Sequence, residues 1–178
     1  MTGIVGSSPC ERLVAPLLII TASKTLNGQI VDATDSIKRA WVILDAVKIN
    51  QEVMTDLYVA AVGLSITYKL LPDDELLQRT EKAIKIVWIP NLDDLIQLDK
   101  LLQLYSAKLD LLQWQGRIDE KMTMFKEEIR PKIEKTMEPF AEKDPARICL
   151  QNNILVYLVE YLKDCKRKNM LEEGSVVV

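Results

Sequence analysis

Residues 35–70 read DSIKRAWVILDAVKINQEVMTDLYVAAVGLSITYKL. Within them, positions 37, 40, 44, 47, 51, 54, 58, 61, 65 and 68 recur three and four apart. They hold Ile, Ala, Leu, Val, Gln, Met, Tyr, Ala, Ser and Tyr. Every charged residue from Asp35 to Lys69 falls off that row. Side chains at this spacing line one face of a 3.6-residue helix, so the pattern predicts a long amphipathic helix over 35–70, capped by Thr34 or Asp35. At 1.5 Å per residue such a helix reaches roughly 54 Å. A compact chain of this length has a radius of gyration of only about 16 Å. Unbroken, the helix forms a rod or projects apolar surface toward a partner; the alternative is an interruption near Gly63, and near Gly116 in a second long helix.

The flanks carry helical punctuation as well. Ser8-Pro9-Cys10-Glu11 combines a capping serine, a proline at the first helical position and a glutamate three residues on. Asn27-Gly28 is a stop signal, which places a first helix at about 9–26 with a possible bend at Pro16. Its run LVAPLLII, residues 13–20, is about half of the ~20 residues needed to span a bilayer, so a buried helix is expected there. Pro72-Asp73-Asp74-Glu75 opens a helix ending near Trp88, before Pro90. Asn91 caps the next, over about 92–130. It has one seam of Leu95, Leu98, Leu102, Tyr105, Leu109 and Leu112, and a second of Leu101, Leu104, Leu111, Trp114, Ile118, Met122, Phe125 and Ile129. Two stripes suit a helix that touches several others. Pro131 and Pro139 delimit a short charged piece, and Asp144-Pro145 starts a last helix of about 145–169. Its expected buried face is Ile148, Leu155, Leu158, Val159, Leu162 and Cys165. The reading is an all-α, elongated bundle of five or six helices with two long amphipathic ones. It forms a single domain over 1–178 with a short flexible tail at about 171–178.

Composition narrows the chemistry. The chain has 178 residues, no histidine, three cysteines and a net charge of −3. Without imidazole, Ser-His-Asp and Cys-His nucleophile systems and imidazole-bound metals fall away. Cys10, Cys149 and Cys165 are too scattered for a Cys-x-x-Cys site, and their apolar neighbours suggest reduced, slowly reacting core thiols. No third of the chain has the basic surplus expected of a phosphate-binding groove. No Gly-rich phosphate loop occurs. The string Asp93-Asp94-Leu-Ile-Gln-Leu-Asp99 resembles the aspartate-rich Mg²⁺ motifs of prenyl-chain synthases, but no second such motif and no paired arginines accompany it. Asp93 and Asp94, like Asp73 and Asp74, have an ordinary use at a helix start.

These residues point to a non-catalytic interaction module, an adaptor or subunit of a larger assembly. Cytoplasmic location is expected, with protein partners, self-association included, and with no cofactor, metal, nucleic acid or membrane span. Partner contacts are expected at Met54, Tyr58, Ala61, Ser65 and Tyr68, where the seam turns smaller and more polar. Val176 and Val178 are a further candidate, since an apolar C-terminus can fill a peptide-binding pocket. The alternatives are a small helical enzyme using aspartate-bound Mg²⁺ and a secreted helical-bundle ligand.

Overall fold

A computed structural model of the chain describes residues 9–46, 51–87 and 95–167. The elements are α1 (Pro9–Leu26), α2 (Ile30–Ala46), α3 (Gln51–Thr67), α4 (Asp73–Val87), α5 (Leu95–Trp114), α6 (Ile118–Met124), a π-helical turn (Phe125–Ile129), α7 (Arg130–Met137) and α8 (Pro145–Arg167). Because α6, the π turn and α7 adjoin without a gap, the described residues form seven helical runs and no strand. The expected tail at 171–178 lies outside the described residues. The chain divides into two compact units, one holding α1–α4 with Ile96–Leu111, the other holding Leu112 onward.

In the first unit the stretch that predicted a single long helix is two. A continuous helix would hold Trp41 and Ser65 roughly 36 Å apart. Instead Trp41 Nε1 donates to Ser65 Oγ at 3.3 Å, and Tyr58 OH donates to the Leu44 carbonyl at 2.9 Å. The higher-numbered partner falls as the lower rises, so α2 and α3 run antiparallel. The seam is real but folded upon itself, with Ile37, Ala40 and Leu44 buried on one limb and Tyr58, Ala61 and Ser65 on the other. Residues 45–52 contain neither Gly nor Pro, so no turn signal betrays the reversal. Nor does α2 start at Thr34 or Asp35: it begins at Ile30, and the Thr34 hydroxyl donates to the Ile30 carbonyl inside the helix.

Two glycines, the expected stop at Gly28 and Gly116, end helices by the same bond pattern. After α1 the Gly28 amide donates to the Thr25 carbonyl and the Gln29 amide to the Lys24 carbonyl. After α5 the Gly116 amide donates to the Gln113 carbonyl and the Arg117 amide to the Leu112 carbonyl. This pairing requires a left-handed residue just past the helix, and both glycines have φ near +70°. After α3 the same position is held by Lys69, at φ 49°. Gly116 therefore ends α5 at Trp114, against the expectation of one helix over 92–130. Gly63, by contrast, sits within α3. Both seams of α5 are buried through Leu98, Leu101, Leu102, Leu104, Tyr105, Leu109, Leu111 and Leu112. Within the first unit, Lys100 bonds Asp56 of α3 at 2.6 Å and Lys108 bonds Glu81 of α4 at 3.0 Å.

In the second unit Pro131 does not break the chain. It occupies the first turn of α7, directly after the π turn. There the Arg130 amide bonds the Phe125 carbonyl, five residues back. A widened turn gives room to the proline ring, which would otherwise press on the carbonyl four residues earlier. The core of this unit comprises Met122, Met124, Phe125, Ile129, Ile133, Leu150, Tyr157, Tyr161 and Cys165. The Phe125 ring lies 5.2 Å from that of Tyr161 and 6.4 Å from that of Tyr157. Arg147 of α8 reaches back to the Phe140 carbonyl at 2.9 Å and holds the α7–α8 connection.

Candidate functional site

The side chains predicted to meet a partner are mostly occupied within the chain. Tyr58, Ala61 and Ser65 are buried in the first unit, and Tyr68 is half-buried. They are core residues, for an electrostatic and steric reason visible around Trp41. The Trp41 ring packs 5.9 Å from Tyr58, its nitrogen bonds Ser65, and the Arg79 guanidinium of α4 stacks 4.7 Å from its centroid. The small Ser65 makes room for the indole that bonds it; its size, which suggests an interface, reflects a bulky neighbour. The Met54 side chain, Val176 and Val178 lie outside the described residues.

Arg79 also bonds Glu75 at 2.8 Å and Asp45 at 2.9 Å, and Lys82 bonds Asp45 at 2.5 Å. Partial burial of Asp45 opposes its ionisation. Hydrogen bonds from Lys82 and Arg79, together with their charges, outweigh it and hold the carboxyl below its ordinary value. This cluster ties α2 to α4 with every charge answered, so it has no free group for chemistry.

The second unit buries a charge pair. Lys121 Nζ sits 2.7 Å from Asp164 Oδ2 and donates to Gln113 Oε1 at 2.9 Å. Both side chains are buried. Asp164 explains why the face of α8 was misjudged. The buried row is Leu150, Tyr157, Tyr161, Asp164 and Cys165, whereas Ile148, Leu155 and Val159, expected inside, are exposed. An aspartate discourages reading its row as core, yet here Lys121 supplies the countercharge. The signal that would have found the row is the four-residue spacing of Tyr157, Tyr161 and Cys165. Cys149 is exposed and only Cys165 is buried, which corrects the expectation of two sheltered thiols on α8.

Among the described residues, apolar faces on two helices are open to solvent. On α8 it comprises Ile148, Leu155, Val156 and Val159, each between 46% and 64% exposed. On α1 it comprises Leu13, Pro16, Ile19, Ile20 and Leu26, while Val14, Leu18, Thr21 and Thr25 turn inward. The first helix is thus half-buried rather than buried. Trp114 is exposed at the end of α5.

Among the described residues the aspartates do not assemble. Asp73 and Asp74 occupy the first turn of α4, exposed Asp99 accepts a bond from Gln103, and Asp93 and Asp94 lie outside the described residues. Among the described residues no three acidic or thiol side chains come together as a metal cluster would require. Among them, too, no helix is long and apolar enough to cross a membrane. Comparison of the chain with protein-family models, with curated proteins and with solved structures finds no match.

Proposed function

We propose that the chain is a non-catalytic protein–protein interaction module, an adaptor or assembly subunit that works in the cytoplasm through protein partners and not through nucleic acid. One observation carries this reading: the open face of α8. Ile148, Leu155 and Val159 recur at helical spacing, with Val156 beside them, and all four are exposed aliphatic side chains. A helix that presents apolar residues at intervals of seven and four suits an amphipathic partner helix with matching anchors. Aliphatic side chains offer no acid, base or nucleophile, so what they contribute is contact area. The overall charge of −3, with no third of the chain strongly basic and Lys166-Arg167-Lys168 only a three-residue run, supports protein over nucleic acid as the partner.

The test is reconstitution. Proteins captured from native extract are identified, purified and titrated against the chain and against Leu155→Lys/Val159→Lys. The expected result is a partner whose affinity falls at least 100-fold in the variant while the melting temperature stays within about two degrees. Undiminished binding, or a loss of many degrees that marks the face as internal packing, refutes the reading.

A further inference from the structure

The open face of α1 carries an internal symmetry. Along the helix the outward residues are Leu13, Pro16, Ile19, Ile20, Ser23 and Leu26. Reflected about the midpoint between Ile19 and Ile20, Leu13 exchanges with Leu26, Pro16 with Ser23, and Ile19 with Ile20. The half-buried flanks obey the same relation, for Leu17 exchanges with Ala22. Two copies laid antiparallel about a two-fold axis at that midpoint would set leucine against leucine at both ends. Isoleucine would meet isoleucine at the centre, and larger residues would face smaller ones between. Self-complementarity of this kind is what an isologous dimer interface demands, where one patch must fit its own image.

The physical setting agrees. Residues 13–23 carry no charge, so neither face of α1 repels a second copy and neither needs a counterion. A helix that is apolar all round is normally covered all round, yet Leu13, Ile19, Ile20 and Leu26 are 42% to 77% exposed. Across the Asn27-Gly28 turn, Ile30 and Val31 of α2 are also exposed. At on the order of 100 Å² for each of the four exposed side chains of α1, the patch presents roughly 400 Å². That matches the largest apolar patches of ordinary monomers, about 300–600 Å². An interface to which each partner contributes ~800 Å², a little over half of it apolar, needs about 450 Å² of apolar surface, which this patch nearly supplies.

We infer that the occupant of this face is a second copy of the chain, paired α1 to α1 antiparallel, with Ile19 against Ile20 at the axis. The proposal deepens the interaction reading above by naming an occupant. It stands on a different helix from the α8 face, so either can fail alone. A dimer would carry two copies of the α8 face.

The test is light scattering behind size exclusion on the full chain at tens of micromolar. The expected mass is twice the 20.3 kDa of one chain. Ile19→Glu/Ile20→Glu should return the single-chain mass with helical circular dichroism intact, raising the dissociation constant at least 100-fold. Two further variants fix the direction of pairing. Leu13→Lys/Leu26→Lys sets like charges opposite each other and should be monomeric, whereas Leu13→Lys/Leu26→Glu sets opposite charges together only if the helices are antiparallel, and should dimerise. A single-chain mass for the unaltered protein overturns the proposal. So does an Ile19→Glu/Ile20→Glu variant that still dimerises, or identical behaviour of the two Leu13/Leu26 variants. A monomer that co-sediments through this face with vesicles of mixed neutral and anionic phospholipid would overturn it in favour of a lipid surface.

Discussion

Replacing Lys121 by methionine removes one charge from a buried pair and leaves the other behind. The Lys121–Asp164 separation is 2.7 Å, with side chains 9% and 1% exposed. At an effective dielectric constant of 20 their attraction is about 6 kcal/mol. Desolvation costs several kcal/mol per ion, so the intact pair contributes little net stability. Lys121→Met removes the attraction but leaves Asp164 desolvated, and a cost of about 3–5 kcal/mol is expected. Gln113, half-buried, loses its bond from Lys121 and takes water instead. Asp164→Leu should cost a similar amount, by stranding the ammonium. The double variant Lys121→Met/Asp164→Leu removes both ions together and should unfold within about 1 kcal/mol of the parent, or be more stable. Urea unfolding tracked by circular dichroism reads this directly, since an m-value near 2 kcal/mol/M turns the single losses into midpoint shifts of about 2 M. A single variant losing less than about 1 kcal/mol, or a double variant losing the sum of the singles, would refute the burial of this face of α8.

The seams of α5 predict that Leu102→Ala or Leu109→Ala costs about 2–5 kcal/mol in the same assay. Leu102→Asp should abolish folding, read as loss of the cooperative transition. Gly116→Ala should cost about 1–2 kcal/mol because a β-carbon is strained at its positive φ, whereas Lys69→Gly, relieving that strain, should gain about 1 kcal/mol in thermal melts. Asp45 binds protons less readily folded than unfolded, so its contribution is full above its ordinary value of 3.8. It is lost as pH falls through the lower, folded value. Melts between pH 3 and 7 should therefore show a shallower acid decline in Asp45→Asn. A thiol reagent should label Cys149 within seconds and Cys165 only on global unfolding; equal rates would contradict the burial of Cys165.

The all-helical class and most helix ends were legible because the chain announces them locally. Pro9, Asn27-Gly28, Pro72 and Asp144-Pro145 each act on their own turn of backbone, and α1, α4 and α8 begin or end where those residues stand. The α5 seams were legible because leucines dominate both. What failed was information that resides in tertiary partners. The α2–α3 reversal keeps the seam in phase and spends neither glycine nor proline, so only the meeting of Trp41 with Ser65 reveals it. The face of α8 was misassigned because hydropathy scores Asp164 without knowledge of Lys121. Tyr58, Ala61 and Ser65 looked like an interface because small and polar residues serve equally in a core, where Ser65 admits a neighbouring indole. The apolar content of α1 suggests a buried helix; that the chain covers only one side of it emerges from the packing with α2 and α3.

The π turn has a consequence for the phase of the helix that contains it. In an uninterrupted α-helix Ile133 would point about 80° away from Phe125; one surplus residue taken up in the wide turn brings the two to within about 20°. Both are buried, and the alignment depends on how many residues lie between them more than on which. Deleting one residue between Phe125 and Ile129 would close the turn and keep Ile133 facing inward, but would press the ring of Pro131 onto the carbonyl behind it. Deleting one residue between Ile129 and Ile133 would leave the turn open and swing the remainder of α7 by about 100°, carrying Glu134 to the inward position. The same extra residue thus sets the rotational phase of α7 and makes the space its proline needs.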